Sequence, residues 1–144
     1  WTSPPGPVEL KAALQAVSPQ SVYLFAVDPG MDSPPVFLAR LAGLVKYALR
    51  VDQGRAGLAA LAAASAQRLS AVRAGLDWLQ AHGDLKILQD EREELVFEAG
   101  NRSPDKDLPD LAARLQDILQ ETAAYRAHYA QAEAEALIDP VTQV

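Results

Sequence analysis

The chain has no cysteine and only two histidines among its 144 residues. Without cysteine, neither a disulfide framework nor a thiolate metal site can form. The absence also fits a reducing compartment, so we expect a cytoplasmic protein. Aromatic residues make up only 6% of the sequence, and alanine is abundant among its hydrophobic residues. This composition favours closely packed helices over a thick aromatic core.

No apolar run approaches the roughly 20 residues that a membrane-spanning helix needs, so we expect no membrane contact. The first seven residues, WTSPPGP, lack the basic and apolar segments of a signal peptide and are typical of a linker. We therefore expect the chain to be a domain of a longer protein.

The formal net charge is −6, which disfavours attraction of nucleic acid by the overall field. The charge is unevenly distributed along the chain. Residues 33–82 contain six Arg and Lys against two carboxylates, whereas residues 84–98 contain six carboxylates against two cations. A basic segment thus precedes an acidic one.

Residues 1–32 predict a linker followed by a helix and a strand. The spacing of apolar residues from Val8 to Val17 indicates a short amphipathic helix entered through Pro7. Ser21–Val27 (SVYLFAV) is a continuous apolar run rich in β-branched and aromatic residues, which is typical of a buried strand. The turn residues Asp28, Pro29 and Gly30 end it.

Residues 33–100 predict a winged helix-turn-helix. The expected elements are a helix from Ser33 to about Asp52, a helix over Leu58–Ala64, a polar break over Ser65–Arg68, a helix over Leu69–His82 stopped by Gly83, and a β-hairpin with a charged turn over Asp90–Glu94. Three helices followed by a hairpin is the order of that motif.

Residues 101–144 predict a polar loop and a long amphipathic helix from Pro109 to Leu137. Its less polar residues alternate spacings of four and three, which is typical of a helix that packs lengthwise against another helix. The members of this seam are Leu111, Leu115, Ile118, Thr122, Tyr125, Tyr129, Ala132 and Ala136. The predicted fold class is therefore α+β and mainly helical.

The sequence offers no catalytic constellation. His82 and His128 lie on different predicted helices, and His82 has the position of a helix-ending cation. The acids of Asp90–Glu94 lack the ligand spacing of a calcium loop. No glycine-rich phosphate loop is present, and no serine has a nearby histidine to activate it. We expect no enzyme activity, no metal and no cofactor in this chain.

The second helix of the predicted helix-turn-helix carries candidate contact residues. In DNA-reading winged helices, the exposed start of this helix enters the major groove. That surface would present Gln67, Arg68, Ser70 and Arg73, with Val72, Leu76 and Leu79 facing inward. An ordinary solvated helix face explains the same residues, and Trp78 is expected to pack in the core.

The charges of the predicted wing argue against a simple DNA reader. Glu91, Glu93 and Glu94 would lie near phosphates and repel them. A protein partner fits this acidic hairpin better, and Tyr125 and Tyr129 of the terminal helix are further candidate contacts.

Two segments, PPVFLARLAGLVKYAL and GLAALAAASAQRLSAVRAGLDWLQAHGDLKI, resemble the C-terminal region of RecJ-type single-stranded-DNA exonucleases, particularly the longer-tailed ones. The preceding SVYLFAVDP resembles the strand that enters that region. The resemblance covers about Val8 to Phe97, and the helix after Pro109 looks like a variable extension. RLAGLVKYAL is its most distinctive part, since the pattern around VRAGLDWL is partly common to winged helices.

The resemblance implies an accessory module of a nuclease that degrades single strands from the five-prime end in recombination and repair. Catalysis in that family uses Asp and His motifs of the DHH class, which bind manganese or magnesium. No such motif occurs in this sequence, so no catalytic residue is carried over. The implied partners are the catalytic core of the nuclease and a helicase or single-strand-binding protein.

Three hypotheses therefore stand. The first is a non-catalytic protein-interaction domain that couples a repair exonuclease to a partner. The alternative is a winged-helix domain that contacts duplex or junction DNA. The third is a structural or self-associating module, suggested by the seam of the terminal helix.

Overall fold

A computed structural model describes residues 3–24, 27–91 and 94–138. The elements in this part of the chain are α1 (Pro7–Val17), α2 (Pro34–Val51), β1 (Arg55–Gly57), α3 (Leu58–Ser65), α4 (Leu69–His82), β2 (Leu85–Glu91), β3 (Glu94–Ala99), α5 (Leu108–Gln131) and α6 (Ala134–Ile138). The fold is α+β and mainly helical, which confirms the predicted class. Among the described helices, none combines the length and apolarity needed to cross a membrane.

Helix α4 has the boundaries that the sequence predicts, whereas α3 extends one residue beyond the predicted Leu58–Ala64 and includes Ser65. After α3, Ala66 takes a left-handed conformation with φ 49° and turns the chain into α4. Gly83 ends α4 with φ 85°, a conformation that costs glycine little. Its N–H donates to Gln80 O at 2.9 Å, and the next N–H donates to Leu79 O at 2.9 Å. These bonds satisfy carbonyls that the helix end would otherwise leave unpaired.

The three described strands form one antiparallel sheet in the order β1-β3-β2. The predicted hairpin is confirmed, but its predicted turn is too long. Asp90 and Glu91 belong to strand β2 and Glu94 to strand β3, and residues 92–93 lie outside the described part of the chain. Strand β1 was not predicted, since it is only three residues long. It follows Gly54, whose carbonyl accepts a 2.7 Å hydrogen bond from the Phe97 N–H.

The main core joins α2, α3, α4, the sheet and α5. Phe37 and Leu41 of α2 meet α4 at Gly75, where a Cβ would lie 2.7 Å from a carbon of each. Leu115 and Leu119 of α5 are 0% exposed in this core. A second, smaller cluster contains Leu10 of α1, Tyr129 of α5 and Leu137 of α6.

The predicted buried strand over Ser21–Val27 is wrong for the residues described there. Residues 21–24 and 27 have no strand structure, and residues 25–26 lie outside the described part of the chain. Tyr23 is 80% exposed, while Leu24 packs against the second cluster. A β-rich composition favours a strand only where a partner strand is available, and the three described strands pair with one another.

The predicted single helix from Pro109 to Leu137 is also wrong at its end. Helix α5 ends at Gln131, and Ala132 is extended with φ −72° and ψ 144° before α6 begins. The break allows Leu137, rather than Ala136, to enter the second cluster. Every residue of Pro109–Leu137 is compatible with a helix, so local pattern gave no signal for this tertiary effect.

Candidate interaction surfaces

The inward face of α4 is as predicted, but one candidate contact residue is not exposed. Val72, Leu76 and Leu79 are buried. Gln67 is 0% exposed, which corrects its expected position on the surface. Its Nε2 donates to Met31 O at 3.1 Å and to the Asp32 carboxylate at 3.0 Å. The side chain therefore turns inward to bind the segment that leads into α2.

Asp32 and Arg126 form an ion pair that the sequence pattern does not indicate. The Arg126 guanidinium donates to the Asp32 carboxylate through Nη1 and to Ala66 O through Nη2, the latter at 2.8 Å. The Arg126 side chain is only 7% exposed. We call these residues, Asp32, Ala66, Gln67 and Arg126, the α5 clamp. The clamp ties α5 to the turn between α3 and α4 and to the start of α2.

Arg68, Tyr125 and Tyr129, which the sequence suggests as partner contacts, already make contacts with other residues of the same chain. The Arg68 guanidinium donates to the Glu121 carboxylate at 3.3 Å and lies 5.7 Å from the centre of the Tyr125 ring. The Tyr125 hydroxyl donates to Pro5 O at 2.7 Å. Tyr129 is mostly buried in the second cluster, and this burial raises the pKa of its hydroxyl. Helix α5 therefore lies across the beginning of α4.

Ser70 and Arg73 lie about one turn apart on α4, and Arg73 contacts the hairpin. Ser70 is exposed. Arg73 makes a bidentate ion pair with Asp90 of β2. Its Nη1 donates to Oδ2, and its Nη2 donates to Oδ1 at 2.6 Å. The hydrogen bond from Arg73 lowers the pKa of Asp90, and the same bond raises the pKa of Arg73. The most prominent cation of this face is thus already paired with a carboxylate.

The end of the hairpin is acidic. Glu91 and Glu94 are exposed and lie opposite each other in the β2–β3 register. Glu93 lies outside the described residues. Like charges placed directly opposite each other repel, and neither glutamate forms an ion pair with another described residue. The surface formed by the outer face of α4 and the hairpin therefore presents mainly negative charge.

Trp78 packs against the main core, as expected, but it is only half-buried. Its indole stacks on the His82 ring, with centroids 4.7 Å apart and an interplanar angle of 11°. His82 Nδ1 lies 2.9 Å from the Asp84 carboxylate. The two stacked rings therefore lie on the last turns of α4, next to Gly83.

Within residues 3–24, 27–91 and 94–138, no three histidine or carboxylate side chains converge as a metal site would require. Comparison of the chain with family models, curated proteins and solved structures finds no match.

Proposed function

We propose that this chain is a non-catalytic protein-interaction domain built on a winged helix-turn-helix. Two features support the winged-helix hypothesis. The elements follow in the order α2, β1, α3, α4, β2, β3, and the strands are arranged in the sheet as β1-β3-β2. In that motif two helices are followed by a hairpin that packs beside the second of them. The ion pair between Arg73 and Asp90 holds the hairpin beside α4 in this way.

The observation that carries the proposal is the packing of α5 against α4, which engages Arg68 at the start of α4. A duplex reader needs the start of its second helix free and basic. Here Arg68 is engaged by Glu121 and Tyr125, and the α5 clamp fixes the preceding turn. The remaining outer face carries Arg73 paired with Asp90, next to Glu91 and Glu94. Such a surface repels phosphates and fits a protein partner better.

The resemblance to RecJ-type exonucleases supplies the parentage in this proposal. The domain belongs to a five-prime to three-prime single-stranded-DNA exonuclease of the cytoplasm that acts in repair and recombination. It docks on the catalytic core of that nuclease, or holds a helicase or single-strand-binding protein that delivers substrate. Any manganese or magnesium then belongs to the nuclease core, and nucleic-acid contact by this domain is weak or indirect.

Direct binding measurements test the proposal. The chain is immobilised and exposed separately to a RecJ-type catalytic core, the helicases and the single-strand-binding protein of the same genome. We expect retention of at least one of these proteins and little retention of duplex DNA, even at low salt.

The alternative, a DNA-binding winged helix, predicts the opposite pattern. Salt-sensitive duplex binding that weakens in Arg68→Ala or Arg73→Ala, with no protein retained, would establish the alternative instead. Ser70→Ala is a useful companion variant, because Ser70 is exposed on the same face and has no part in the ion pair.

A further inference from the structure

The outer face of α2 differs in charge from the rest of the molecule. Helix α2 contains three cations and no carboxylate in Pro34–Val51, although the whole chain has a net charge of −6. Arg40 donates through Nε to Ala64 O at 3.2 Å, near the end of α3. Within the described residues, Lys46 and Arg50 form no ion pair. In the described part of the chain, neither of these two cations is therefore held by a carboxylate within 4 Å.

This face also exposes apolar side chains at a regular spacing. Val36 is 49% exposed and Tyr47 is 60% exposed, so neither is held in the core. The exposed residues Val36, Arg40, Gly43, Tyr47 and Arg50 follow one another at steps of four, three, four and three. We call these five residues the α2 seam. Steps of this kind keep residues on one side of a helix and are typical of a helix that receives a second helix lengthwise.

Gly43 sits at the middle of the α2 seam and leaves space above it. A Cβ built at this position would have no atom within 4 Å. Glycine in the middle of an exposed helix costs roughly 1 kcal/mol relative to alanine, so its presence needs a compensating role. A small residue between two larger ones lets a partner helix come close, with Val36 and Tyr47 packing on either side.

We infer that the α2 seam docks an acidic amphipathic helix of a partner protein. The inference rests on the proposed protein-interaction function and specifies the chemistry of the partner. Apolar residues of the partner would lie along Val36, Gly43 and Tyr47. Carboxylates flanking them would pair with Arg40, Lys46 and Arg50, which gives both attraction and orientation.

The observations favour this occupant over nucleic acid and over a second copy of the chain. A single strand is normally bound by a basic groove with several aromatic platforms, whereas the seam has one tyrosine and two positions without polar groups, Val36 and Gly43. The acidic end of the hairpin is formed by strands and has no helical apolar seam to match α2.

Fluorescence anisotropy with designed peptides tests the inference. The probe is a labelled helical peptide of about three heptads, with leucine at a and d and glutamate at e and g. Its matched control carries lysine at e and g. We expect the acidic peptide to bind at least about tenfold more tightly than the basic one, with affinity falling as salt rises.

Gly43→Gln is the decisive variant. Glutamine favours helix, and a Cβ at this position has no atom within 4 Å, so we expect the fold to be retained while the approach of a partner helix is blocked. We expect this variant to weaken peptide binding by about tenfold or more. Ala113→Gln, at an exposed position of α5, is the matched control and is expected to bind normally.

A second pair of variants compares two exposed tyrosines. Tyr47→Ala, in the α2 seam, should also weaken peptide binding, whereas Tyr23→Ala, outside the seam, should not.

Four results of the peptide, oligonucleotide and self-association measurements would overturn the inference. These are equal binding of the two peptides, no effect of Gly43→Gln, tighter binding of a single-stranded oligonucleotide at the seam, and self-association that Gly43→Gln abolishes. If Gly43→Gln retains the nuclease core or helicase as well as the unmodified chain does, the inference fails and the proposed function stands. If neither protein is retained but the acidic peptide binds as described, the proposed function fails and the seam remains a docking site.

Discussion

Two glycines in the interiors of long helices lie in opposite surroundings. Gly43 of α2 is exposed with open space around it, whereas Gly75 of α4 is pressed against Phe37 and Leu41. Gly43→Ala should stabilise the fold by up to about 1 kcal/mol, because alanine favours helix. Gly75→Ala should destabilise it by roughly 1–2 kcal/mol, because overpacking exceeds the same helical gain. Urea unfolding of both variants measures the difference.

The two substitutions are chemically identical, so each controls for the other. An increase in the free energy of unfolding for both variants would show that α2 can move away from α4 without loss. A decrease for both would contradict the open space around Gly43.

Asp90 provides a pH-dependent measurement of the contact between the hairpin and α4. The hydrogen bond from Arg73 lowers its pKa in the folded protein. The ion pair therefore contributes fully above the ordinary pKa of an aspartate and is lost as the pH falls through the lowered value. Carbon NMR titration of the Asp90 carboxyl should give a midpoint below that of an unpaired aspartate.

The controls for this titration come from the same surface. Arg73→Gln should move the Asp90 midpoint upward, whereas Lys86→Gln, on the same strand, should leave it in place. The effect on global stability is expected to be slight, since Asp90 is exposed to solvent. If the titration midpoint of Asp90 is the same in Arg73→Gln as in the unmodified chain, the ion pair does not form in solution.

At the scale of elements, two arginines connect α5 to the helix-turn-helix with very different burial. Arg126 is 7% exposed at its side chain, and Arg68 is 32% exposed beside a 71% exposed Glu121. Arg126→Met should lower the free energy of unfolding by roughly 2–4 kcal/mol, because Asp32 and Ala66 O lose a mostly buried donor. Arg68→Ala should cost less than about 1 kcal/mol, as exposed pairs do.

Chemical unfolding, together with hydrogen exchange along α5, measures both losses. In Arg126→Met we expect faster exchange in the last turns of α5, near the lost contact. Equal and small losses in the two variants would mean that apolar packing alone holds α5 in place.

The elements that the sequence predicted well are those whose signals are local. Helix α4 has an apolar face of the right period and a glycine at its end, so both boundaries could be read directly. The Ser21–Val27 run has equally clear composition, but a strand also needs a neighbour, and that depends on the whole fold. The same limit explains the break at Ala132, where packing of Leu137 decides the helix end.

The contact residues were harder to predict because their partners are remote in sequence. Gln67 was placed on the surface, but its partners at Met31 and Asp32 lie 36 and 35 residues away. Arg126 reaches Asp32 across 94 residues. Burial of a polar side chain requires such partners, and a single sequence does not show them. The acidic character of the hairpin depends only on composition and could be predicted.

At the scale of the whole molecule, opposite charges are carried by different elements. The outer face of α2 has cations without carboxylates, and the described end of the hairpin has Glu91 and Glu94 outside any ion pair. A net charge of −6 gives no indication of this separation. Such an arrangement lets one small domain present two surfaces with different partner preferences, which suits a connecting module better than a reader of one ligand.

The placement of α5 in the main core gives a test of how the molecule is built. A chain ending at Lys106 lacks Leu115 and Leu119, which are both 0% exposed. Each such leucine contributes roughly 2–5 kcal/mol, a large share of the roughly 5–15 kcal/mol that stabilises a typical domain. We expect this truncated chain to lose cooperative unfolding when followed by circular dichroism.

A chain starting at Asp28 is the matched comparison. It lacks α1 and therefore Leu10 of the second cluster, but it keeps Asp32, the α5 clamp and the whole main core. This chain should still unfold cooperatively, at a lower urea concentration than the full chain. If instead the chain ending at Lys106 unfolds as the full chain does, α5 is an appended element. Its covering of α4 would then be a reversible contact, and the argument against duplex recognition would lose its main support.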